Sequence, residues 1–421
     1  MKVLSLLIDG FFQAEAADFA VTEIVFREGM PLVLKGSGNM VTPTPDRLVG
    51  HAQMDEMLQA ISPDYLDIIQ RHGQLEMRYE VDVDSGDSDQ QHTRTLRVTG
   101  LTYDGGDKLS VIMRINADEA WPIDALNLPE IAEGLIRDLK PGGMLLVAGP
   151  MASGKSTTMY AAVDLLNTHT PQTIVTIEDP IETRLNSRKG LIIQREVCPY
   201  GRENEVHSAA KRHDARNGDG TNQRFPMGDV PDFITGVRGA MRQSLNGMLI
   251  MEIRDAETAD AALRAAEAGL WVIAGIHASE AVGALERLVN FAPAEQRADR
   301  SRILERRLHG VLFQKLVPNA TLTASVLAVE VIYPAASTPQ GVDKFKTAFN
   351  TNNVSALQDL LQASDTKQDL SPDVLSLNRS LLTLTLAGSF SKKAAFAASY
   401  DVPGLKELFS RHDRAGGSQS N

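Results

Sequence analysis

Near the middle of the chain the sequence reads Gly149-Pro-Met-Ala-Ser-Gly154-Lys155-Ser156-Thr157-Thr158. This run fits the pattern G-x-x-x-x-G-K-S/T of a phosphate-binding loop. The apolar residues 143–148 before the loop predict a short buried strand, and residues 153–167 predict a helix after it. A strand, a glycine loop and a helix N-terminus in this order form an anion site, because backbone N–H groups and the helix dipole point at bound phosphates. The pattern therefore predicts an α/β domain that binds a nucleoside triphosphate.

The residues of the loop have separate predicted roles. Lys155 is expected to reach the terminal phosphates, and the hydroxyl of Ser156 is expected to hold Mg²⁺. The predicted cofactors are therefore ATP and Mg²⁺. The predicted nucleotide-binding residues are Gly149, Pro150, Met151, Ala152, Ser153, Gly154, Lys155, Ser156 and Thr157.

Three further apolar strands are predicted after the loop, and each is followed at once by polar residues. The strands are residues 173–177, 248–251 and 271–276, and the residues that follow them are Glu178 to Glu182, Glu252 and His277. Ligands of parallel sheets bind at the carboxyl ends of the strands, so these side chains are expected to face the phosphates. A carboxylate there can bind Mg²⁺ or orient the attacking water. The resulting candidates are Glu252, Glu178, Glu182 and His277 for catalysis, and Ser156, Glu178 and Glu252 for the metal.

Each of these candidates also has a purely structural interpretation. Glu178 and Asp179 are equally suited to capping a helix or to forming a solvated turn before a proline. Asp255 and Glu257 fit the acidic first turn of a helix. A single histidine at a strand end, such as His277, is more often structural than catalytic. The residues alone leave these alternatives open.

Composition limits the classes of protein to which the chain can belong. The 421 residues predict two or three domains, and the net charge of −12 argues against a large nucleic-acid footprint. The single cysteine, Cys198, excludes an intrachain disulfide framework and a cysteine-rich zinc module. No run approaches the ~20 apolar residues of a membrane span. An N-terminal apolar run is broken by Asp9 and is too short for a signal peptide, so a cytoplasmic location is predicted.

Turn residues and hydrophobic periodicity divide the chain into five parts. Short alternating segments predict an antiparallel meander near the N-terminus, and strands that alternate with helices predict a parallel-rich sheet in the centre. The predicted parts are an α+β domain (1–118), a linker (119–129), an α/β domain (130–334), a C-terminal helical region (335–412) and a disordered tail (413–421). In the first domain the predicted elements are strands at 21–26, 32–34, 75–83, 93–101 and 109–115 and one helix at 54–70.

Taken together, these motifs resemble the secretion ATPase superfamily of type II and type IV secretion, type IV pili and conjugation. The similarity is strongest to the branch that includes pilus retraction ATPases. The similar stretches are the phosphate loop through Thr158, Thr176-Ile-Glu-Asp-Pro-Ile-Glu182, Gln194-Arg-Glu-Val197, Glu252-Ile-Arg-Asp-Ala-Glu-Thr-Ala259 and Ala274-Gly-Ile-His277-Ala-Ser-Glu-Ala-Val282. Arg97 and Arg114 fall where the family places two arginines that approach the nucleotide from the N-terminal domain.

The resemblance implies an N-terminal PAS-like domain joined by a flexible linker to a RecA-like ATPase domain. It also implies a ring-shaped homohexamer with nucleotide at its interfaces, catalytic arginines at Arg97 and Arg114, and an inner-membrane platform protein as partner. The implied function is a motor that couples ATP hydrolysis to pilus dynamics, conjugation or protein secretion. A RecA-like ATPase dependent on nucleic acid is the alternative, and a nucleotide-gated ring with little turnover is a weaker one. The acidic composition argues against direct nucleic-acid contact.

The sequence also departs from the family pattern. One cysteine cannot build the four-cysteine zinc element of the assembly-type members. Residues 347–354 lack the short motif that the retraction branch carries in its C-terminal helices, and residues 201–232 form a polar insertion. Met151 and Ala152 replace a commoner Thr-Gly pair. None of these changes removes a catalytic group, so a divergent member of the family is predicted, as in conjugation or type IVB secretion.

Overall fold

The computed structural model describes most of the chain, in two compact units. It describes residues 10, 13–14, 17, 21–36, 39–84, 91–117, 119–197, 229–321, 324–334, 345–349, 351, 353, 356–366 and 374–417. The predictions for Cys198, for residues 201–228 of the insertion and for residues 418–421 lie outside that part. One unit comprises Met1–Glu119, Asp179–Arg184 and Arg195–Asp232, and the other comprises Ala120–Glu178, Leu185–Gln194 and Phe233–Asn421.

The N-terminal unit is built on an antiparallel sheet with strand order β3-β2-β1-β6-β5-β4 in the described residues. Its strands are β1 (Glu23–Arg27), β2 (Val33–Gly36), β3 (Asn39–Val41), β4 (Gln74–Asp84), β5 (Gln91–Tyr103) and β6 (Lys108–Ile115). Alternate residues of these strands, together with apolar residues of two helices, form the core on one face of the sheet. The predicted meander is confirmed by β4, β5 and β6, which pair in that order.

The prediction of one helix over residues 54–70 is wrong. Two helices cover this region, α1 (His51–Ile61) and α2 (Tyr65–His72). Ser62 between them is extended, with φ −148° and ψ 104°. The physical reason is Pro63, because the residue before a proline is disfavoured in the helical conformation. The hydrophobic periodicity continues across this break and therefore did not reveal it.

The second unit contains a mixed, mainly parallel sheet. Its described strands run in the order β14-β13-β12-β7-β11-β10-β8-β9. They are β7 (Met144–Gly149), β8 (Thr173–Glu178), β9 (Leu191–Glu196), β10 (Gly247–Ile250), β11 (Trp271–His277), β12 (Leu308–Pro318), β13 (Ser325–Ile332) and β14 (Val374–Leu375). The block β12-β7-β11-β10-β8 is parallel, whereas β13 and β14 run antiparallel at one side. This arrangement confirms the predicted α/β class and its parallel-rich sheet.

Helices follow most of these strands, and the described residues from 377 onward are mainly helical. They are α3 (Glu130–Arg137), α4 (Lys155–His169), α5 (Phe233–Ala240), α6 (Ala256–Glu267), α7 (Ala281–Asn290), α8 (Arg297–Arg307), α9 (Ala356–Thr366), α10 (Leu377–Leu386), α11 (Lys392–Ala398) and α12 (Val402–Gly417). Residues 413–417, predicted as the start of a disordered tail, belong to α12. None of the helices in the described ranges combines the length and apolar character that crossing a membrane requires.

The residues predicted as a linker contribute to the core of the second unit. Residues 120–129 contain a 3₁₀ turn (Ile123–Leu126), and the side chains of Ile123 and Leu128 are buried. Both pack in the same apolar cluster as residues of β7 and α4.

One buried carboxylate ties the C-terminal helices to the sheet. Glu330 of β13 is completely buried and accepts the N–H groups of Ala281 (2.8 Å) and Leu377 (3.3 Å). These are the first residues of α7 and α10, so the dipoles of two helices favour its negative charge. The hydroxyl of Tyr400 donates a third bond to the same carboxylate. Burial nevertheless dominates and raises the pKa of Glu330 to about 7.

Candidate nucleotide-binding site

The register of the parallel strands brings the predicted site residues of the second unit to one edge of the sheet. Gly149, where the phosphate loop begins, lies directly opposite His277, the last residue of β11. On the other side of β11, Ile250 of β10 lies opposite Ala274 and also opposite Ile177 of β8. The loop, Glu252 and His277 therefore follow the carboxyl ends of neighbouring strands, where ligands of parallel sheets bind.

The loop has a tightly turned backbone. Ala152 and Gly154 have φ values of 56° and 85°, in the left-handed region. Gly154 tolerates this conformation without strain and is also the N-cap of α4. Ala152 carries a Cβ, which makes the left-handed region less favourable than it is for glycine. At Gly149 a Cβ would collide with Ser153 Oγ and with the backbone of β12, so this position requires glycine.

The Lys155 ammonium lies inside the curve of the loop. Its Nζ donates to the carbonyl oxygens of Gly149 (2.9 Å) and Pro150 (2.7 Å). It also lies 3.3 Å from Nδ1 of His277. The positive charge is thus held against the loop at the N-terminus of α4, and helix N-termini favour bound phosphate.

His277 connects the lysine of the loop to the acidic residue after β10. Its Nε2 lies 3.3 Å from Oε1 of Glu252, whose other oxygen accepts a 2.9 Å bond from Nε of Arg254. An ammonium can only donate, so Nδ1 of His277 must accept and the proton is assigned to Nε2, facing the carboxylate. Burial, followed by the charge of Lys155, lowers the pKa of His277, which keeps the ring neutral at pH 7. Arg287 donates to the carbonyl oxygen of His277 at 3.2 Å and supports the strand end.

Glu178 has different surroundings from those predicted for a metal ligand. Its side chain is completely buried. The hydroxyls of Tyr160 and Thr176 donate to its two oxygens, and Nε2 of Gln194 donates a third bond at 3.0 Å. A carboxylate with three donors in the protein interior is satisfied where it stands. Glu178 therefore braces α4, β8 and β9 behind the strand ends.

Glu182, Arg97 and Arg114 belong to the N-terminal unit. Arg97 donates to Glu76 through two nitrogens and lies 3.6 Å from Oε1 of Glu182. Arg114 is exposed and lies directly opposite Arg97 on the neighbouring strand. The structure thus brings Glu182 together with Arg97, and it places Glu178 in the other unit.

Gln314 is a site residue that the sequence motifs did not identify. It lies on β12, is completely buried, and donates from Nε2 to the carbonyl oxygen of Ser153 at 2.8 Å. Its signal in the sequence was a lone polar residue in the apolar run Val311-Leu-Phe-Gln314. A buried amide in such a run must find a partner, and here the partner is the phosphate loop.

The loop retains unused hydrogen-bonding capacity. Ser153 Oγ and Gln314 Oε1 are buried without a hydrogen-bond partner in the described part of the chain, which leaves polar capacity at the loop. The described residues contain no group of three or more His, Cys, Asp or Glu side chains suited to a metal.

The sequence matches one protein family and several known proteins over the region that contains the phosphate loop. Residues 90–370 match the family described as "Type II/IV secretion system protein". An uncharacterized protein, YggR, of Escherichia coli strain K12 is 32% identical over 220 residues, which are 52% of this chain and 58% of that protein. The type IV pilus retractation ATPase PilT of Pseudomonas aeruginosa is 36% identical over 177 residues, 42% of this chain and 43% of that protein. The matched region thus spans about half the length of these relatives.

Solved structures share the fold. The pilus retraction motor PilT with bound ADP has a TM-score of 0.72 at 23% identity, covering 97% of this chain and 99% of that one. The ATPase DotB of Legionella pneumophila has a TM-score of 0.71 at 20% identity, covering 93% and 94%. At these identities the likeness establishes the fold. The family match covers more than half of the sequence and includes the phosphate loop, Glu252 and His277, so the chain belongs to the type II/IV secretion system protein family.

Proposed function

We propose that the chain is an ATP-hydrolysing motor of a pilus, conjugation or secretion machine. The observation that carries this proposal is the contact line from Lys155 through His277 to Glu252, which joins the phosphate loop to the acidic strand end. These contacts connect Lys155, which would neutralise the terminal phosphates, to Glu252, which would orient the attacking water. The names of the relatives, among them a pilus retractation ATPase and type II secretion proteins, support the same class of function.

In the proposed mechanism the residues of the loop bind the triphosphate of ATP, and Lys155 neutralises its terminal phosphates. Ser156 and Glu252 would hold Mg²⁺, which neutralises charge on the β- and γ-phosphates when it is bound. Glu252 orients the attacking water and accepts its proton, while His277 fixes the direction of the Glu252 carboxylate. Glu178 acts as a positioning residue, because its carboxylate is already saturated by protein donors.

Arg97 and Arg114 are proposed to contact the γ-phosphate and to stabilise the charge that develops during its transfer. Arg97 then exchanges its pairing with Glu182 for the phosphate, so the Glu182 carboxylate takes back the guanidinium after hydrolysis. A ligand that binds one arrangement more tightly shifts the population toward it, and loss of the γ-phosphate reverses the shift.

The active assembly is proposed to be a homohexamer at the cytoplasmic face of the inner membrane, where a platform protein of the machine receives the motion. In a ring, every nucleotide site would receive the arginines of an N-terminal unit. A phosphate loop that acted alone would not need these arginines.

ATPase assays on three variants test the proposal. Lys155→Ala should abolish hydrolysis and weaken ATP binding, because the only ammonium inside the loop is lost. Glu252→Gln should still bind ATP, while turnover falls by roughly 10²-fold or more, because an amide cannot accept the proton of the water. Glu257→Gln, an exposed carboxylate in the first turn of α6, is the matched control and should keep wild-type turnover.

Two results would contradict the proposal. Turnover of the Lys155→Ala variant near the wild-type rate would exclude this loop as the nucleotide site. A requirement for single-stranded DNA in the wild-type assay would instead favour the alternative, an ATPase that acts on nucleic acid.

A further inference from the structure

A cavity lies where α7 meets the C-terminal helices of the second unit. Its volume is about 290 Å³, and its polar lining includes Glu280, Glu286, Gln358, Tyr400 and Asp401. These residues belong to the start and middle of α7, to α9 and to the residues just before α12, all within the second unit. No lysine, arginine or histidine is among the described residues that line it. The cavity is therefore acidic, and its volume suits a small ligand or a single side chain.

The carboxylate of Glu280 accepts no hydrogen bond and forms no ion pair within the described part of the chain. Glu280 is the N-cap residue of α7, yet its side chain makes no capping hydrogen bond. The side chain bends over the first turn of the helix, where a Cβ on Gly283 would lie 3.3 Å from Cγ of Glu280. Asp401 differs, because it accepts the N–H of Gly404 at 3.1 Å. Capping therefore explains Asp401 but not Glu280.

Several carboxyl groups repel one another around this cavity. Burial raises the pKa of Glu280, and the neighbouring charge of Glu286 raises it further. Glu330, which is completely buried, accepts a hydrogen bond from Tyr400 in the cavity wall, and the charge of Glu280 also raises the pKa of Glu330. A cation in the cavity would relieve this repulsion, because opposite charges attract strongly where water is partly excluded.

Gln358 adds an unused acceptor to the same wall. The hydroxyl of Tyr400 donates to Glu330, so the phenol oxygen can only accept from the amide of Gln358. The NH₂ end of the amide therefore faces Tyr400, and Oε1 is buried without a partner among the described residues. A buried acceptor without a donor is costly, and a ligand that donates to it would remove this cost. The cavity thus suits a ligand that carries positive charge and donates several hydrogen bonds.

A guanidinium group meets both requirements. It is always charged, it is more weakly hydrated than an ammonium group, and its N–H donors point in several directions. These donors can serve two carboxylates and an amide oxygen at once. A metal ion fits less well, because the described residues contain no group of three or more His, Cys, Asp or Glu side chains placed to hold one.

We infer that this cavity binds a guanidinium group, with Glu280, Glu286 and Gln358 as its contacts. The group belongs either to a small molecule or to an arginine side chain of another protein, and both sources present the same chemistry to the cavity. The inference goes beyond the proposed function and does not rest on it, because none of these three residues belongs to the nucleotide-binding site.

Isothermal titration calorimetry of the full chain with agmatine and with N-acetylarginine amide tests the inference. Agmatine is a free guanidinium compound, whereas the capped arginine imitates a side chain within a polypeptide. At least one of them should bind, one molecule per chain, with a Kd below about 1 mM. Tighter binding of agmatine would identify a small molecule as the ligand, and tighter binding of the capped arginine would identify a protein segment. Tetramethylammonium, a cation without N–H donors, is the control and should not bind measurably.

Substitutions in the cavity locate the binding. Glu280→Gln and Gln358→Leu should each weaken the binding about tenfold, because each removes one acceptor for the guanidinium group. Glu295→Gln changes an exposed carboxylate outside the cavity and should bind as the wild type does. The melting temperature of unliganded Glu280→Gln should equal or exceed that of the wild type, since a repulsion is removed. A carboxylate with a purely structural role would instead lower the melting temperature when replaced.

Any of three results would overturn the inference. The first is that neither guanidinium compound binds saturably to the wild type up to about 10 mM. The second is that tetramethylammonium binds equally well, since attraction by charge alone would then account for the binding. The third is unchanged affinity in both Glu280→Gln and Gln358→Leu, which would place the bound cation elsewhere. None of these measurements involves ATP, so a failure of the ATPase assays would contradict the proposed function and leave this inference standing.

Discussion

Replacement of His277 tests the contact line between the phosphate loop and the acidic strand end. The neutral ring accepts from Lys155 at Nδ1 and donates to Glu252 from Nε2, both across 3.3 Å. Alanine removes both contacts. Glutamine retains one acceptor and one donor without charge, so it can imitate the neutral tautomer.

The size of the effect follows from these two contacts. A hydrogen bond to a charged group contributes about 1.5–3 kcal/mol when buried, and the half-exposed position with long distances reduces each to about 1 kcal/mol. The loss of both contacts should therefore raise the activation free energy by about 2 kcal/mol, because Lys155 and Glu252 are less well oriented. That increase corresponds to a fall in kcat of about 30-fold. Because neither contact is made to substrate, we expect KM to change less than kcat in His277→Ala.

The assay is steady-state ATP hydrolysis between pH 5.5 and pH 8.5 for the wild type, His277→Ala and His277→Gln. The pKa of His277 is lowered, chiefly by burial, so the functional neutral ring should persist as the pH falls through the ordinary histidine range. The ratio of wild-type to glutamine-variant activity should therefore stay constant above about pH 6.5 and decline only below it.

One outcome would refute this reasoning. If the charged imidazolium were the active form, wild-type activity would rise as the pH falls toward 6, and His277→Gln would be as impaired as His277→Ala. Equal activity of all three proteins would show that Lys155 and Glu252 are held in place without the ring.

Three further substitutions probe residues around the site. Gln314→Leu removes the donor to the carbonyl oxygen of Ser153, so the loop loses a contact and a buried carbonyl is left unpaired. ATP affinity, measured by fluorescence titration, should therefore fall about tenfold, and unchanged affinity would contradict this role. Glu330→Gln should alter the pH dependence of stability. The carboxyl group of Glu330 stays protonated up to about pH 7 in the folded protein, whereas in the unfolded chain it loses its proton near pH 4.5. The free energy of unfolding of the wild type should therefore fall by up to about 3 kcal/mol between these pH values relative to the variant, and melting temperatures would follow this change. Parallel melting profiles would count against it. Gly247→Ala should lower the melting temperature, since a Cβ there would overlap the ring of Trp271, and the expected cost is about 1–3 kcal/mol; an unchanged melting temperature would mean that the ring moves freely.

Local patterns predicted the elements that short-range chemistry controls. The phosphate loop was recognisable because its glycines and lysine occupy consecutive positions, and the strand before it because every residue of β7 is apolar and buried. The start of α11 likewise has a local cause, since the side chain of Ser391 caps the helix by accepting from the N–H of Ala394. The break between α1 and α2 shows the limit of periodicity, since Pro63 interrupts the backbone without interrupting the hydrophobic pattern.

Long-range contacts decided what the candidate residues do. Glu178 and Glu252 both follow apolar strands and are indistinguishable by pattern. Only the packing of Tyr160 and Gln194 around Glu178 makes that carboxylate a buried brace, whereas Glu252 meets His277 at the sheet edge. These partners are distant in sequence, and no local rule specifies their contact.

By itself the sequence determined the chemistry that is available, namely a phosphate loop, carboxylates after apolar strands, and the order of strands and helices that makes an α/β domain. Those features depend on residues that are close together in the sequence, because backbone geometry and the periodicity of side chains along a helix or strand link such neighbours. The tertiary structure alone decided which groups meet. It placed Gln314 under the loop, and it aligned Arg78 with Arg97 and Arg114. The physical reason is register, because pairing between strands is set by burial of whole faces and by turn geometry, and a shift of one residue would turn each of these side chains to the opposite face.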